Sequence, residues 1–325
     1  MNDFYEKQNE PHMLKLLAGQ REIYSEVKAI LMKGFFAGVV IPSILSSIFF
    51  VMSFYPGYTG PWMKTLLTIY GLVFFIINHF IMEYVSNCKK KAARIQEEYD
   101  TSLFNMEWND IVAGKKIPIS ESIEYAQKHL ATEGEHRLHN WYLNAPMSVS
   151  APLMVMLCQS KNMGWDAGLK RKTSTFLSII LALNIIMFAI TFIFTNPTYL
   201  QFIAFVAILL PTYQFYYRYV SENKKSVARA DELRTLVENT LRQVVKEHAY
   251  DKKALEKQSR LVQDQIFNYR ATGNPVPDLC INEIGLKMKS DMIEFLKNIL
   301  HNYKALQHHR SSSLTNYLYF DGYKV

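Results

Sequence analysis

Long uncharged stretches alternate with strongly charged ones along this chain of 325 residues. No Asp, Glu, Lys or Arg occurs from Gly34 to Met63, and the uncharged stretch resumes after Lys64. From Thr173 to Tyr217, 45 consecutive residues carry no formal charge. A helix of about 20 apolar residues crosses the ~30 Å hydrocarbon core of a bilayer, so each stretch is long enough for two spans joined by a turn.

Proline and glycine residues divide each stretch near its middle. Pro56-Gly57 and Asn196-Pro197 are typical of turns. The pattern predicts four membrane spans at residues 34–55, 62–85, 173–195 and 198–220. The predicted fold class is therefore an all-α integral membrane protein with four transmembrane helices as two hairpins, whose helical extensions form a cytoplasmic bundle.

Composition agrees with this separation of apolar and polar segments. Hydrophobic residues make up 49% of the chain, yet the mean hydropathy is only −0.05. The first apolar stretch follows a charged amphipathic segment, and no small-residue cleavage site follows it, which argues against a cleaved signal peptide.

Positive charges mark one side of the membrane. The two turns within the hairpins contain no Lys or Arg, whereas every opposite end of a span carries several. These basic residues are Lys28, Lys33, Lys89, Lys90, Lys91, Arg94, Lys170, Arg171, Lys172, Arg218, Lys224, Lys225 and Arg229. Because such loops stay in the cytoplasm, both termini are predicted to be cytoplasmic. The net charge of +7 then fits contact with anionic lipid, so the lipid bilayer is the predicted partner and no DNA or RNA polymer is needed.

The charged segments are predicted to be helical as well. The organisation that follows is a cytoplasmic amphipathic N-terminal helix at 1–33, a first transmembrane hairpin at 34–87, a cytoplasmic helical segment at 88–172, a second transmembrane hairpin at 173–220, and a cytoplasmic helical region with the tail at 221–325. Apolar residues recur at helical spacing in the first of these segments, at Met13, Leu16, Leu17, Ile23, Val27, Ile30 and Leu31.

Several helix boundaries follow from breakers and helix formers. The second span is expected to run on through Tyr99, and a separate helix is expected from Ser120 to about Leu130. Another helix should start near Pro146 and continue into the third span. The fourth span is expected to continue as one helix to about Tyr269, because no Pro or Gly interrupts it. A last helix is expected at about 282–306.

No catalytic signature is present. The sequence lacks a phosphate-binding Gly-rich loop, a GxSxG motif and an HExxH motif, so neither an enzyme nor a cofactor is predicted. His136 and His139 stand three residues apart, but no third ligand is spaced to complete a metal site. The cysteines Cys88, Cys158 and Cys280 show no CxxC pairing and are predicted to be free thiols.

Polar residues within the spans carry more information, because each is unfavourable in hydrocarbon. Asn78, His79 and Glu83 lie on the second span, and Asn184 lies near the middle of the third. At a rise of 1.5 Å per residue, His79 is roughly 26 Å from Trp62, which places it just inside the inner interface. These residues are candidates either for interfacial anchoring and contacts between helices or for lining or gating a pore.

Two further features concern the packing and shape of the spans. Ser43 and Ser47 form a face of small residues that another helix can approach closely. Pro42 and Pro211 are expected to kink the first and fourth spans.

Three cytoplasmic segments, in their order relative to the spans, carry a resemblance to a known family. They are Glu98-Tyr99-Asp100-Thr101-Ser102-Leu103-Phe104-Asn105-Met106-Glu107-Trp108-Asn109; Cys158-Gln159-Ser160-Lys161-Asn162-Met163-Gly164-Trp165-Asp166 with Leu169 to Lys172; and Ile266-Phe267-Asn268-Tyr269-Arg270 with Pro275-Val276-Pro277-Asp278. The chain resembles the SMODS-associated four-transmembrane effectors over roughly 15–290. Leu279-Cys280 departs from the aromatic pair usual in that family.

The resemblance implies a multi-pass protein of the bacterial inner membrane that acts in anti-phage defence. Such an effector would respond to a cyclic oligonucleotide and, as a homo-oligomer, form pores in the membrane or disrupt it. The alternative is a non-conducting, membrane-anchored sensor or scaffold that recruits another protein. For Trp108, Trp141 and Trp165, packing of the cytoplasmic bundle is the competing interpretation.

A cyclic nucleotide presents anionic phosphates and flat bases, so its site needs basic donors beside aromatic faces. Two such pairs occur in the cytoplasmic part, Arg137 with Trp141 and Arg270 with Tyr269. The first pair would share one face if that stretch were helical. These four residues are the predicted ligand contacts.

Overall fold

A computed structural model of the chain describes residues 3–53, 61–135, 137–142, 150–195, 198–247 and 251–276. Every regular element in these ranges is helical, which confirms the all-α prediction. The α-helices are α1 Asp3–Lys7, α2 Pro11–Phe35, α3 Ile41–Ser53, α4 Pro61–Phe104, α5 Asp110–Ala113, α6 Ile119–Thr132, α7 Ala151–Thr195, α8 Tyr199–Tyr216, α9 Glu222–Glu247 and α10 Lys252–Thr272. Two π-helical segments, Phe36–Val40 and Tyr217–Ser221, lie between α2 and α3 and between α8 and α9.

Within the described residues, three helical stretches are long and apolar enough to cross a membrane. They are Pro11–Ile48, Thr68–Phe104 and Ala151–Phe194. The fourth predicted span lies on α8, an apolar helix of 18 residues that contains Pro211. The expected last helix at 282–306 and both predicted outer turns lie outside the described residues.

Two helices extend far beyond the length of a span, as predicted for the second and third spans. Helix α4 has 44 residues and α7 has 45, so each is about 66 Å long. Since the hydrocarbon core takes up only ~30 Å, roughly half of each helix is left for a helical bundle outside the membrane.

The N-terminal amphipathic helix is α2, which leads directly into the first span through the first π-helical segment. Its apolar stripe packs onto α4 and α6. Of the residues predicted to form this stripe, five are fully or almost fully buried, namely Met13, Leu17, Ile23, Val27 and Leu31. Helix α6 lies close to its predicted bounds.

The prediction of one helix from the fourth span to Tyr269 is wrong. Helix α9 ends at Glu247, and α10 starts after Asp251, whose carboxylate accepts a hydrogen bond from the Lys253 amide at 2.9 Å. Gln258 Nε2 donates to Thr240 Oγ1 at 2.8 Å, so α10 packs back against α9. An N-cap aspartate starts a new helix without Pro or Gly. Helix α7 begins at Ala151, and Pro146, near which its start was predicted, lies outside the described residues.

Two of the apolar clusters lie in the helical bundle outside the membrane. One joins α7, α9 and α10, and the other joins α2, α4 and α6. Trp165 packs against the first and Trp141 against the second, while Trp108 packs against a smaller cluster around Phe267. All three tryptophans thus take part in the packing of the bundle, and a contact of Trp141 with a ligand stays a prediction.

The first π-helical segment leaves backbone carbonyls without their usual helical donors. The Ile41 amide donates to Phe36 O, five residues back, and Pro42 has no N–H to give. Side chains from other spans donate instead: Tyr70 OH to Ala37 O at 2.5 Å, and Thr212 Oγ1 to Gly38 O at 2.8 Å. Leaving a carbonyl without a donor in hydrocarbon is unfavourable by roughly several kcal/mol. The two hydroxyl groups satisfy these carbonyls and so permit an irregular helix within a membrane span.

Candidate functional site

Charged side chains meet in the interior of the helical bundle outside the membrane, where the extensions of α4 and α7 face α10. We call this cluster the ionic junction; it consists of Glu97, Asp100, Arg260, Gln263, Asp264 and Arg270. Two of its members come from α4 and four from α10, and residues of α7 and of the segment before it complete their hydrogen bonds. The three segments that carry the family resemblance all contribute to this region.

The ion pair between Asp100 and Arg270 is the most buried contact of the junction. Their side chains are 0% and 9% exposed, and Arg270 Nη1 lies 2.5 Å from Asp100 Oδ2. The other oxygen, Oδ1, accepts from Tyr142 OH at 2.6 Å, and Asn162 Nδ2 donates to that hydroxyl at 2.8 Å. The pair therefore ties α4 to α10, and the hydrogen bonds from Asp100 through Tyr142 to Asn162 extend this connection to α7.

Gln263 bridges the two acidic residues of α4. Its fully buried Nε2 donates to Glu97 Oε2 at 2.8 Å and to Asp100 Oδ2 at 3.0 Å, and its Oε1 accepts from Gln159 at 3.1 Å. Arg260 lies on the more open side, 2.9 Å from Glu97 and in contact with Asp264. Every charged member of the junction thus has an opposite charge beside it.

Burial shifts the ionisation of these groups. It raises the pKa of the Glu97 carboxyl, and the charge of Asp100 adds to the effect. Burial alone would lower the pKa of the Arg270 guanidinium, but the neighbouring Asp100 raises it overall. A buried ionic cluster is weak evidence for net stability, because desolvation offsets the attraction between the charges. Losing one partner is nevertheless strongly unfavourable, so the cluster holds one specific arrangement of helices.

A second polar contact lies closer to the membrane, around Lys89. This lysine is 4% exposed, and its Nζ donates to Asn274 Oδ1 at 2.8 Å and to Thr272 O at 3.0 Å. Glu222, the first residue of α9, lies 3.4 Å away. Burial lowers the pKa of Lys89. The contact joins the helix that leaves the second span to the helix that follows the fourth.

The third motif segment also contacts the helix that enters the third span. Lys170 Nζ lies 2.7 Å from Asp166 and 4.1 Å from the centre of the Tyr269 ring, and Tyr269 donates its hydroxyl hydrogen to Asp166. Helix α10 ends here at Thr272, and Gly273 follows it. A Cβ at Gly273 would come within 2.7 Å of Ser226 Oγ and 2.9 Å of Tyr269 O, so the close approach of these elements requires glycine.

The residues expected to bind a ligand lie in two different places. Tyr269 and Arg270 belong to the buried contacts just described, whereas Arg137 is exposed in a turn at residues 137–140. That stretch is not helical, and the guanidinium that stacks on Trp141, at 5.1 Å from the ring centre, is that of Arg21. The structure therefore does not bring Arg137 and Trp141 together through a shared helical face.

The polar residues of the second span have different surroundings. Asn78 is 1% exposed, and its Nδ2 has no hydrogen-bond partner among the described residues. His79 is exposed, with Nδ1 3.1 Å from Arg218 Nη2, and Glu83 is exposed on the same helix. A role of these residues in a pore stays a prediction.

Ser43 and Ser47 lie against the third span of the same chain. Ser43 Oγ lies 2.5 Å from Asn184 Oδ1, and Ser47 Oγ lies 3.9 Å from Met187 Sδ. Asn184 also donates to Ile180 O in the preceding turn. The polar atoms of Asn184 are thus engaged within the protein, as expected for a contact between helices in a membrane.

Replacing Ser43 by leucine should destabilise this contact by about 1–3 kcal/mol, because the larger side chain overpacks a close helix approach. The measurement is the midpoint of thermal unfolding of the detergent-purified protein. Ser43→Ala, which removes only the hydroxyl group, serves as the control and should lie much nearer to wild type. Equal midpoints for Ser43→Leu and wild type would contradict a close approach at this position.

Sequence reasoning missed Glu97, Arg260, Gln263 and Lys89 as parts of a site. Helical spacing did not indicate a role for them, because charged and amide side chains on a long helix are usually interpreted as its solvent-exposed face. Asp100 was named only within a segment that carries the resemblance, and Arg270 was predicted to contact a ligand rather than Asp100. Among the described residues, no group of three or more His, Cys, Asp or Glu is arranged to hold a metal ion.

Comparisons with known proteins agree with the geometry of long helices that leave a membrane. A family model described as the SMODS-associating 4TM effector domain matches residues 2–299. A protein of Bacillus cereus strain VD146, described as a probable CBASS effector molecule, is 28% identical over 209 residues, which are 64% of this chain and 68% of that protein. No solved structure matches the chain significantly.

Proposed function

The chain belongs to the SMODS-associating 4TM effector family, and we propose that it is a membrane effector of bacterial anti-phage defence. In this proposal a cyclic oligonucleotide acts on the cytoplasmic bundle, and the protein responds as a homo-oligomer by forming a pore in the inner membrane or disrupting it. The observation that carries the proposal is the ionic junction, which ties the cytoplasmic halves of two membrane-crossing helices to α10.

Helices α4 and α7 supply a physical route from the bundle to the membrane. Each is a single helix from the junction into its span, and a helix transmits a shift or rotation along its length. A ligand that separates Asp100 from Arg270 would break the most buried contact between α10 and α4 and disturb the hydrogen bonds of Asp100 that reach α7 through Tyr142. In a buried ionic cluster the free energy of the paired arrangement differs sharply from that of the separated one. Such a cluster can therefore act as a switch between two distinct states.

Self-assembly is part of the proposal because four spans in one chain are too few to enclose a wide pore. The spans present a broad apolar surface, with large exposed side chains on all four of them, including Ile44, Phe80, Ile186 and Phe202. This surface is available to lipid and to further copies of the chain. Of the predicted ligand contacts, Arg137 is accessible, whereas Arg270 would become so only when its pair with Asp100 opens.

The proposed topology predicts opposite labelling of the two ends of each hairpin. With a membrane-impermeant maleimide on intact spheroplasts, Asn196→Cys should be labelled, whereas Lys90→Cys and Lys172→Cys should be labelled only after lysis. Asn196 lies outside the described residues, and both lysines are exposed. Labelling of Asn196→Cys only after lysis would contradict the two-hairpin topology.

Dye release from vesicles tests the function itself. The purified protein is reconstituted into anionic phospholipid vesicles loaded with a self-quenching dye and exposed to a panel of cyclic di- and trinucleotides. The proposal expects release with one nucleotide and none with its linear counterpart. Tight binding of a nucleotide without release of dye or ions would instead favour the non-conducting sensor or scaffold.

A further inference from the structure

The irregular turn in the first span can exist in two backbone registers. In the register of the structure, the Ile41 amide donates to Phe36 O, which leaves Ala37 O without its α-helical donor, and Pro42 cannot donate to Ala37 O or to Gly38 O. In an uninterrupted α-helix the Ile41 amide would donate to Ala37 O, four residues back. Only Gly38 O would then be left, because its α-helical donor would be Pro42.

The two hydroxyl groups that contact these carbonyls therefore have different effects on the register. Tyr70 OH is needed only in the π-helical register, where Ala37 O lacks an amide partner. Thr212 Oγ1 serves Gly38 O in either register. Losing the tyrosine hydroxyl should shift the balance toward the α-helix, whereas losing the threonine hydroxyl should disfavour both registers alike.

A change of register rotates the outer half of the first span. Removing the extra residue of a π-helical turn turns all later residues by about 100° and advances them by about 1.5 Å. Each position against the third span then receives the preceding residue of α3. Ser46 would take the place of Ser47 opposite Met187, and Ser43 would leave Asn184.

We infer that the first span is a two-register switch, in which the Tyr70 hydroxyl holds the π-helical register and its release rotates α3 against the third span. Gly38 permits the tight packing at the pivot, since a Cβ there would lie 3.0 Å from the Phe74 ring. π-Helical turns are frequent at functional sites. The use of this rotation in gating rests on the proposed function, but the switch itself does not.

Two cysteine pairs report the two registers. Ser47→Cys with Met187→Cys marks the π-helical register, because the native side chains are 3.9 Å apart, and Ser46→Cys with Met187→Cys marks the α-helical one. Each pair is treated in membranes with a short bifunctional methanethiosulfonate, and the linked peptides are identified by mass spectrometry. Cys88 and Cys158, which lie on the cytoplasmic parts of α4 and α7, are distinguished by the same mapping.

Tyr70→Phe should raise the ratio of Ser46 linkage to Ser47 linkage by about tenfold, the effect of losing one donor to a buried carbonyl. It keeps the ring that stacks on Phe74. Thr212→Val, the matched control, should leave the ratio at the wild-type value. An unchanged ratio in Tyr70→Phe would overturn the switch, and so would equal loss of both linkages, since that indicates misfolding rather than rotation.

Growth of expressing cells separates the switch from its use. If the register gates the membrane response, Tyr70→Phe should change the nucleotide dose for growth arrest by about tenfold, following its shift in register, while Thr212→Val does not. A swapped linkage ratio with an unchanged dose would refute the link to gating and leave the switch standing. Failure of the vesicle experiment, by contrast, would remove the effector function without touching the linkage result.

Discussion

Arg270→Ala should lower the midpoint of thermal unfolding by about 10 °C. The substitution leaves Asp100, whose side chain is fully buried, without its counter-charge. Breaking a buried ion pair in this way destabilises a protein by about 3–5 kcal/mol, and each kcal/mol lowers the midpoint by about 2–4 °C in chains of 150–250 residues. Intrinsic fluorescence of the detergent-purified protein gives the midpoint.

Arg171→Ala provides the matched control. Arg171 pairs with Asp231 across α7 and α9, but those side chains are 58% and 45% exposed, and exposed pairs contribute about 0–1 kcal/mol. Adding Asp100→Asn to Arg270→Ala removes the uncompensated charge and should restore part of the loss. Similar midpoints for Arg270→Ala and Arg171→Ala would mean that the junction is open to water and that the ion pair does not hold α10 to α4.

The sequence was sufficient for the helical class and for the long extensions of the spans. Uncharged stretches of fixed minimum length are a direct consequence of bilayer thickness, and the absence of breakers after Cys88 led correctly to the 44-residue helix α4. The same argument failed after Glu247, because Asp251 can start a helix without any breaker. Capping chemistry at one residue outweighed the absence of Pro and Gly.

The junction could not be derived from the sequence in the same way. Asp100 and Arg270 are 170 positions apart, and helical periodicity gives the face on which a residue lies, not its partner. Gln263 looks like an ordinary solvated amide on α10, yet it is fully buried. Its role follows only from the packing of α10 onto α4, which the wrong prediction of a continuous α9–α10 helix had ruled out.

The irregularity of the first span was foreseen only in part. Pro42 indicated a kink, but the π-helical turn before it depends on hydroxyl donors from the second and fourth spans. Tyr70 and Thr212 carry no signal of that role in their own sequence surroundings. Which side chain donates to such a carbonyl depends on tertiary packing, and the sequence does not give it. The same is true of Ser43, because its partner Asn184 was predicted only to face another helix or water.

Gln263→Glu should destabilise the bundle more than any other change of similar size. The amide that donates to Glu97 and Asp100 becomes a carboxyl group of the same shape, so two hydrogen bonds are lost and a third acidic group faces two others. Like charges about 4 Å apart repel by about 4 kcal/mol at an effective dielectric constant of about 20. Protonation of the new group limits this loss, so we expect the midpoint of unfolding to fall by about 10 °C at pH 8.

The pH dependence of that loss identifies its cause. Burial and the neighbouring carboxylates raise the pKa of the new carboxyl group above the ~4.3 of an exposed glutamate. With the pKa raised in the folded state, the destabilisation is absent below the unfolded pKa and grows as pH rises through the folded one. The midpoint of Gln263→Glu should therefore approach that of wild type as the pH falls from 8 to 5.

Gln265→Glu makes the same chemical change on the same helix, at a half-buried position outside the junction, and should show neither the loss nor its pH dependence. If both variants unfold at the wild-type midpoint at pH 8, Gln263 does not bridge the acidic pair, and α10 is not held to α4 as the proposed coupling requires.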